Sequence, residues 1–530
     1  MSRCLLIGLD GATFSVLDPL MEDGVMPFLK RFVASGARGE LRSGIPPLTP
    51  PAWTSIMTGR SPGNHGVVDF FSFESADSRY VRMTNSSDVR CETIWSMISR
   101  QALSATALNF PVMAPPRPIA GCVIPGWVLW RFLRRSCYPA SLYDLLKDLP
   151  AFNAKELAMN LDLEQKALDG CAAEEQEAWV SFHLRREQQW FEILSYLMRR
   201  EPHHLTGIVF DGLDKLQHLF WRLLDPDCLS DRLSASDARI RQRCLDYFRQ
   251  LDGLIAKAVA LAGDDANVFI VSDHGFGPSQ EIFYVNSWLA RHGYLTWARE
   301  VPPDQKGPDT LGLKLIGWMD KLIDWSRTTA YALTPSSNGI HICVAGRRGA
   351  GGISPQDYVA FRTRLVDALR QCTDPKNGEP IVTQVWTREE AFAGQFTDLA
   401  PDVTLRLRDG GFFSTVKSDV LLSPRTEPLG THRPEGIFLA RGPAVVQGAC
   451  LSELSILDIT PLLLHTLGLP IPKDLEGRVP IEVFRPEFVR ARPVVIGGPT
   501  HSPEAFAPHA SDQEGDRQVA ARLKALGYLE

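Results

Sequence analysis

The sequence predicts an α/β fold with a large central, mostly parallel sheet between helices, lengthened by inserted segments. Three observations lead there. Short apolar runs alternate with helical stretches, as at Cys4–Leu9 and the helical stretch Met26–Ala34. Three such runs end at an acidic residue: Cys4–Leu9 before Asp10, Gly207–Phe210 before Asp211, and Asn267–Ser272 before Asp273. Finally, 530 residues with 44% apolar and 22% charged side chains give a globular composition and enough length for one large core.

Read in order, residues 1–140 form the first part of the core, with a further helix after Pro50. Residues 141–205 form a helical insertion, dominated by a long charged helical region from about Ala154 to Arg200. The core resumes over 206–285. Residues 286–400 are less regular and read as a cap; within them Leu315, Trp318, Met319, Leu322 and Ile323 share one helical face, suited to packing on the core or to gripping lipid or substrate. Strand and helix patterning returns over 401–480. A tail of Pro, Gly and polar residues over 481–530 ends in a short helix at about Arg517–Leu526.

The net charge of −6 provides no global positive field, so tight non-specific nucleic-acid binding is not expected. No apolar stretch reaches membrane-spanning length; even Leu454–Leu469 is interrupted by Asp458, Pro461 and His465. The first residues enter a strand without a basic-then-apolar leader, which gives the expectation of a cytoplasmic protein. Ten scattered cysteines without a CxxC pair fit reduced thiols better than disulfides or a zinc–sulfur site.

The chemistry concentrates at the ends of the three runs. In open α/β sheets ligands bind beyond the carboxyl ends of the strands, where Asp10, Asp211, Asp214 and Asp273 fall. In Asp214-Lys215-Leu216-Gln217-His218, residues four apart share a helix face and can grip one cation. Asp273-His274-Gly275 offers adjacent oxygen and nitrogen ligands before a glycine turn, although a turn with an aspartate cap would read the same way. Asp10 before Gly11 repeats that arrangement.

Taken in order, Asp10, the block from Thr49-Pro50-Pro51 through Thr58-Gly59-Arg60-Ser61-Pro62-Gly63-Asn64-His65-Gly66, Asp214 with His218, Asp273-His274-Gly275 and His432 resemble the alkaline phosphatase superfamily. Within it the chain is most similar to the type I phosphodiesterase and nucleotide pyrophosphatase branch. The similarity runs from Leu5 to roughly Val479, and Leu457-Asp458-Ile459-Thr460-Pro461 resembles that family's C-terminal core. The resemblance implies Thr49 as nucleophile, one metal held by Asp10, Thr49, Asp273 and His274, and the other by Asp214, His218 and His432. Two divalent cations would activate the alcohol and offset phosphoryl charge, and attack by Thr49 would give a phosphothreonine intermediate. Ligands without thiolate suit zinc, with manganese as the alternative.

The expected substrate is a small phosphorylated molecule, cleaved at a phosphodiester or nucleotide pyrophosphate bond. The alternatives are a phosphomonoesterase, a phosphotransferase or mutase, and a non-catalytic metal-binding protein. A sulfatase is disfavoured because Thr49-Pro50-Pro51-Ala52-Trp53 lacks that branch's nucleophile and arginine. One departure stands out: where the branch places an asparagine donor, this chain has Phe70. Asn109 and the Trp53 indole are the candidate substrate contacts in its place, and Arg433 could add positive charge. His65 is expected to order the turn after the nucleophile helix, Asp211 to orient a ligand or merely end its strand, and His203-His204 to be exposed. No oligomeric state is implied.

Overall fold

The computed structural model describes residues 3–501, apart from 74–80, 151, 161–162, 165, 168–169, 299–320, 335 and 347–350. Leu315, Trp318, Met319 and the expected terminal helix therefore lie outside the described residues; Leu322 and Ile323 are buried. In chain order the strands are β1 (Arg3–Leu9), β2 (Ala37–Arg42), β3 (Phe71–Phe73), β4 (Val81–Met83), β5 (Ala105–Leu108), β6 (Gly121–Ile124), β7 (Leu205–Phe210) and β8 (Ala266–Val271). There follow β9 (Gly275–Phe283), β10 (Ala330–Tyr331), β11 (Gly339–Ile342), β12 (Val382–Thr387), β13 (Val403–Leu407), β14 (Leu422–Arg433), β15 (Glu435–Arg441) and β16 (Ala449–Ser455).

Eight of these form the main sheet in the order β16-β2-β15-β8-β1-β7-β5-β6. Its pairings are parallel except where β15 runs antiparallel to β2 and β8. The centre is apolar on both faces because helices cover both: in β1, Leu5, Ile7 and Leu9 enter one core cluster, while Cys4 and Leu6 enter the other. Since β8, β1 and β7 are adjacent, Asp273, Asp10 and Asp214 leave the sheet side by side.

A second core of its own gathers around the four-stranded sheet β10-β11-β13-β12, with Phe71 and Phe73 of the β3–β4 hairpin packed against it. Two expectations about organisation change here. The stretch beginning at 401 does not return at once to the main sheet, since β13 belongs to the smaller one and β14 pairs with β9. The helical stretch from Ala154 is not continuous: a short helix, Ala154–Leu157, precedes the long one at Gln176–Arg200. Among the described residues no helix is long and apolar enough to cross a membrane, and all ten cysteines are free.

Candidate active site

Thr49 opens the helix Thr49–Thr58 and is buried, its Oγ1 3.2 Å from His274 Nε2. Pro50 and Pro51 follow it in the first turn and lack N–H groups, so they leave no unpaired helical donor there. The other hydroxyls of this helix are engaged: Thr54 Oγ1 donates to the Pro50 carbonyl at 2.7 Å, and Ser55 Oγ lies 3.0 Å from His65 Nε2. The helix is braced from the C-terminal core, where Thr460 Oγ1 donates to the Ile56 carbonyl at 2.7 Å.

Asp273 and His274 follow β8 after Ser272, and β9 begins at Gly275. Glycine is required at that corner, because a Cβ would stand 1.9 Å from the Glu435 carbonyl oxygen. The β9–β14 ribbon pairs His432 with Phe276 and so returns His432 to the site. Asp214 and His218 project from the first turns of the helix Gly212–Leu224.

The three candidate carboxylates share one pattern, with one oxygen accepting from the protein and the other without a partner. Trp53 Nε1 donates to Asp10 Oδ2 at 3.4 Å, the Gly11 amide to Asp273 Oδ1 at 3.2 Å, and Lys215 Nζ to Asp214 Oδ2 at 3.4 Å. Asp10 Oδ1, Asp273 Oδ2 and Asp214 Oδ1 are buried and have no hydrogen-bond partner.

The imidazoles repeat the arrangement. His218 Nδ1 lies 3.0 Å from the Gly430 carbonyl, His432 Nδ1 2.9 Å from the Pro47 carbonyl, and His274 Nδ1 3.1 Å from the Gly275 carbonyl. A carbonyl only accepts, so Nδ1 carries the proton in each ring and the Nε2 lone pair faces the site. Asp214 Oδ1 stands 3.6 Å from His218 Nε2 and 3.4 Å from His432 Nε2, with those two nitrogens 3.0 Å apart. His274 Nε2 stands 3.6 Å from Asp10 Oδ1 and 3.3 Å from Asp273 Oδ2.

Lone pairs facing one another without a donor are unfavourable in a buried site, and a cation removes the conflict. Ligand atoms of Asp10, Asp273 and His274 lie within 4.8 Å of one another, as do those of Asp214, His274 and His432. The second grouping draws in His274 because its ring stacks on His432 with centroids 3.7 Å apart. By the Nε2 contacts, His274 belongs with Asp10 and Asp273, and His218 completes the Asp214 side.

Electrostatics point the same way. Burial first, then neighbouring carboxylates, raises the Asp10 and Asp273 carboxyls well above their ordinary range. Burial also acts on Asp214, but His218 and Lys215 outweigh it and hold that carboxyl well below the usual range. Burial lowers His218 to about 4 and His274 well below its ordinary value, keeping both imidazoles neutral as metal ligation requires. The donor set therefore fits divalent metal.

Several expected contacts are turned elsewhere. The Trp53 indole faces Asp10, and Asn109 Nδ2 donates to the Val209 carbonyl at 2.9 Å and to Asp211 Oδ1 at 3.3 Å, so both donors are engaged within the protein. Asp211 pairs with the buried Arg186 at 3.4 Å. The Arg433 guanidinium is taken by the Pro278 and Asp409 carbonyls. His203 is buried against Thr106, whereas His65 does order its turn, accepting the Val67 amide at 3.1 Å. Phe70 stacks on Trp127 at 5.3 Å. The buried cation beside the site is Lys215, to which the sequence reading gave no role although it lies between two site residues.

Family membership identifies the chain as a phosphoester hydrolase of the alkaline phosphatase superfamily. The chain belongs to the type I phosphodiesterase / nucleotide pyrophosphatase family, whose model matches residues 4–434. Among solved structures it is similar to murine ectonucleotide pyrophosphatase / phosphodiesterase 5, an inactive form in complex with AMP, at 15% identity and TM-score 0.52, covering 92% of this chain and 100% of that one. It is also similar to phosphonoacetate hydrolase from Sinorhizobium meliloti 1021 in complex with phosphonoformate, at 17% identity and TM-score 0.51, covering 88% and 96%. No curated protein sequence matches the chain.

Proposed function

We propose that this enzyme hydrolyses a phosphodiester or nucleotide pyrophosphate bond through a covalent intermediate on Thr49. One observation supports this above others: three carboxylates each turn an unpartnered oxygen, and three imidazoles their Nε2, toward the pocket that holds Thr49 Oγ1. Asp10, Asp273, His274 and Thr49 would hold one divalent ion, and Asp214, His218 and His432 the other, with zinc the best match to the donors. Such ions lower the pKa of an alcohol and offset phosphoryl charge. Thr49 Oγ1 forms the bond to phosphorus as the ester bond to the leaving group breaks. Water then attacks phosphorus, Thr49 departs, and the hydroxyl is restored. Trp53 and Gly11 hold Asp10 and Asp273 by their second oxygens, which fixes the direction of the bare ones.

The diester preference rests on two arginines that are already engaged. Arg60 is paired with Asp474 at 2.9 Å, and Arg433 is turned to carbonyls, so neither meets the second charge of a monoester. An unmatched buried charge costs several kcal/mol, or orders of magnitude in rate. With zinc supplied, kcat/KM for bis-p-nitrophenyl phosphate should exceed that for p-nitrophenyl phosphate, and Thr49→Ala should abolish both. A tenfold preference for the monoester would instead assign a phosphatase or phosphotransferase.

A further inference from the structure

The ammonium of Lys215 is held between two carboxylates, Asp214 Oδ2 at 3.4 Å and Glu164 Oε2 at 3.2 Å, with the Trp127 ring centroid 5.2 Å away. Lys215 is 8% exposed, a burial that lysine reaches only when paired. Glu164 belongs to the segment before the long helix and is itself fixed by Arg186 at 3.3 Å; Arg186 also reaches Asp211 at 3.4 Å. A chain of buried and half-buried charges thus runs from the inserted region to the helix Gly212–Leu224. Glu187 ties the same two parts together by accepting the Gly212 amide at 2.7 Å.

We propose that Lys215 is a positioning residue, which takes Asp214 Oδ2 so that Oδ1 alone faces His218 and His432, and that Glu164 of the inserted segment holds it there. The inference rests on the two-cation reading above. Asp10 and Asp273 have one oxygen fixed by a neutral donor, an indole and an amide, whereas Asp214 has it fixed by a cation that belongs to a second ion pair. The metal affinity of the Asp214 pocket consequently depends on a residue about fifty positions away in the insertion, while that of the Asp10 pocket does not. Lys215 has two opposed effects on a bound dication: its charge repels the ion, and its hydrogen bond aims the ligand. The structure assigns the larger effect to aiming, because Glu164 already offsets the ammonium charge.

Zinc titration calorimetry on the full chain reads the difference, since the two effects have opposite signs. Lys215→Met should weaken one of two zinc ions by about ten- to a hundredfold, the range for partners that orient a ligand, and leave the other unchanged. Glu164→Gln, which keeps the lysine, should weaken the same ion less, and Lys215→Arg should restore most of the loss. In a His274→Ala background, which disables the other pocket, the weakened ion should be the one that remains. Tighter or unchanged zinc binding in Lys215→Met would overturn the proposal, as would equal weakening of both ions. If Lys215→Met fails to fold, unchanged affinities in Glu164→Gln would overturn it, and selective weakening would sustain it. Absence of zinc binding by the unaltered chain would overturn the metal centre itself, and this proposal with it.

Discussion

At the residue scale, burial makes His65 a pH-sensitive element of stability. It is completely enclosed, accepts the Val67 amide through Nδ1, and is lowered to about 3 by burial. The folded chain resists a proton that the unfolded chain takes near 6.5, so this group costs stability as pH falls below 6.5 toward 3 and has no effect above it. From pH 6.5 to 5 the loss is about 2 kcal/mol. Urea denaturation at pH 7 and pH 5 should show a smaller acid-induced drop for His65→Gln than for the unaltered chain; equal drops would mean His65 titrates normally. Residue identities were legible in the sequence more readily than directions. Asp10, Asp214, His218, Asp273, His274 and His432 do converge beside Thr49, because chain order and strand ends fix where they emerge. Asn109 and Trp53 are capable donors in any sequence reading, yet only the structure reveals that Val209, Asp211 and Asp10 already engage them.

At the scale of elements, the β9–β14 ribbon controls the geometry, since it joins the His274 corner to His432 across the register His432–Phe276. Gly275→Ala would drive a methyl group into the Glu435 carbonyl 1.9 Å away and displace that corner. The expected outcome is a destabilisation of about 1–3 kcal/mol, read as a lower Tm, together with reduced zinc content; normal values of both would show that the corner can relax freely. The ribbon was not legible in advance. Residues 422–433 include Pro424, Arg425, Glu427 and Pro428, whose composition suggests a loop, and pairing with β9 is a long-range choice that local pattern does not encode. Three main-sheet strands, β1, β7 and β8, were legible because burial on both faces makes them continuous apolar runs.

At the scale of the whole molecule, one main sheet collects the reacting groups, and the smaller sheet contributes its own core beside them. The Asp69 carboxylate joins the two, accepting from Thr334 Oγ1 at 2.6 Å and Ser336 Oγ at 2.5 Å. The central claim is a double displacement at phosphorus through Thr49, and the stereochemical course of hydrolysis tests it most directly. A diester carrying a chiral phosphorothioate is hydrolysed in isotopically labelled water, and the configuration of the product is determined. Each in-line displacement inverts phosphorus, so two in succession give net retention, the result expected here. Net inversion would mean that water attacks the substrate directly, and would contradict the assignment of Thr49 as nucleophile.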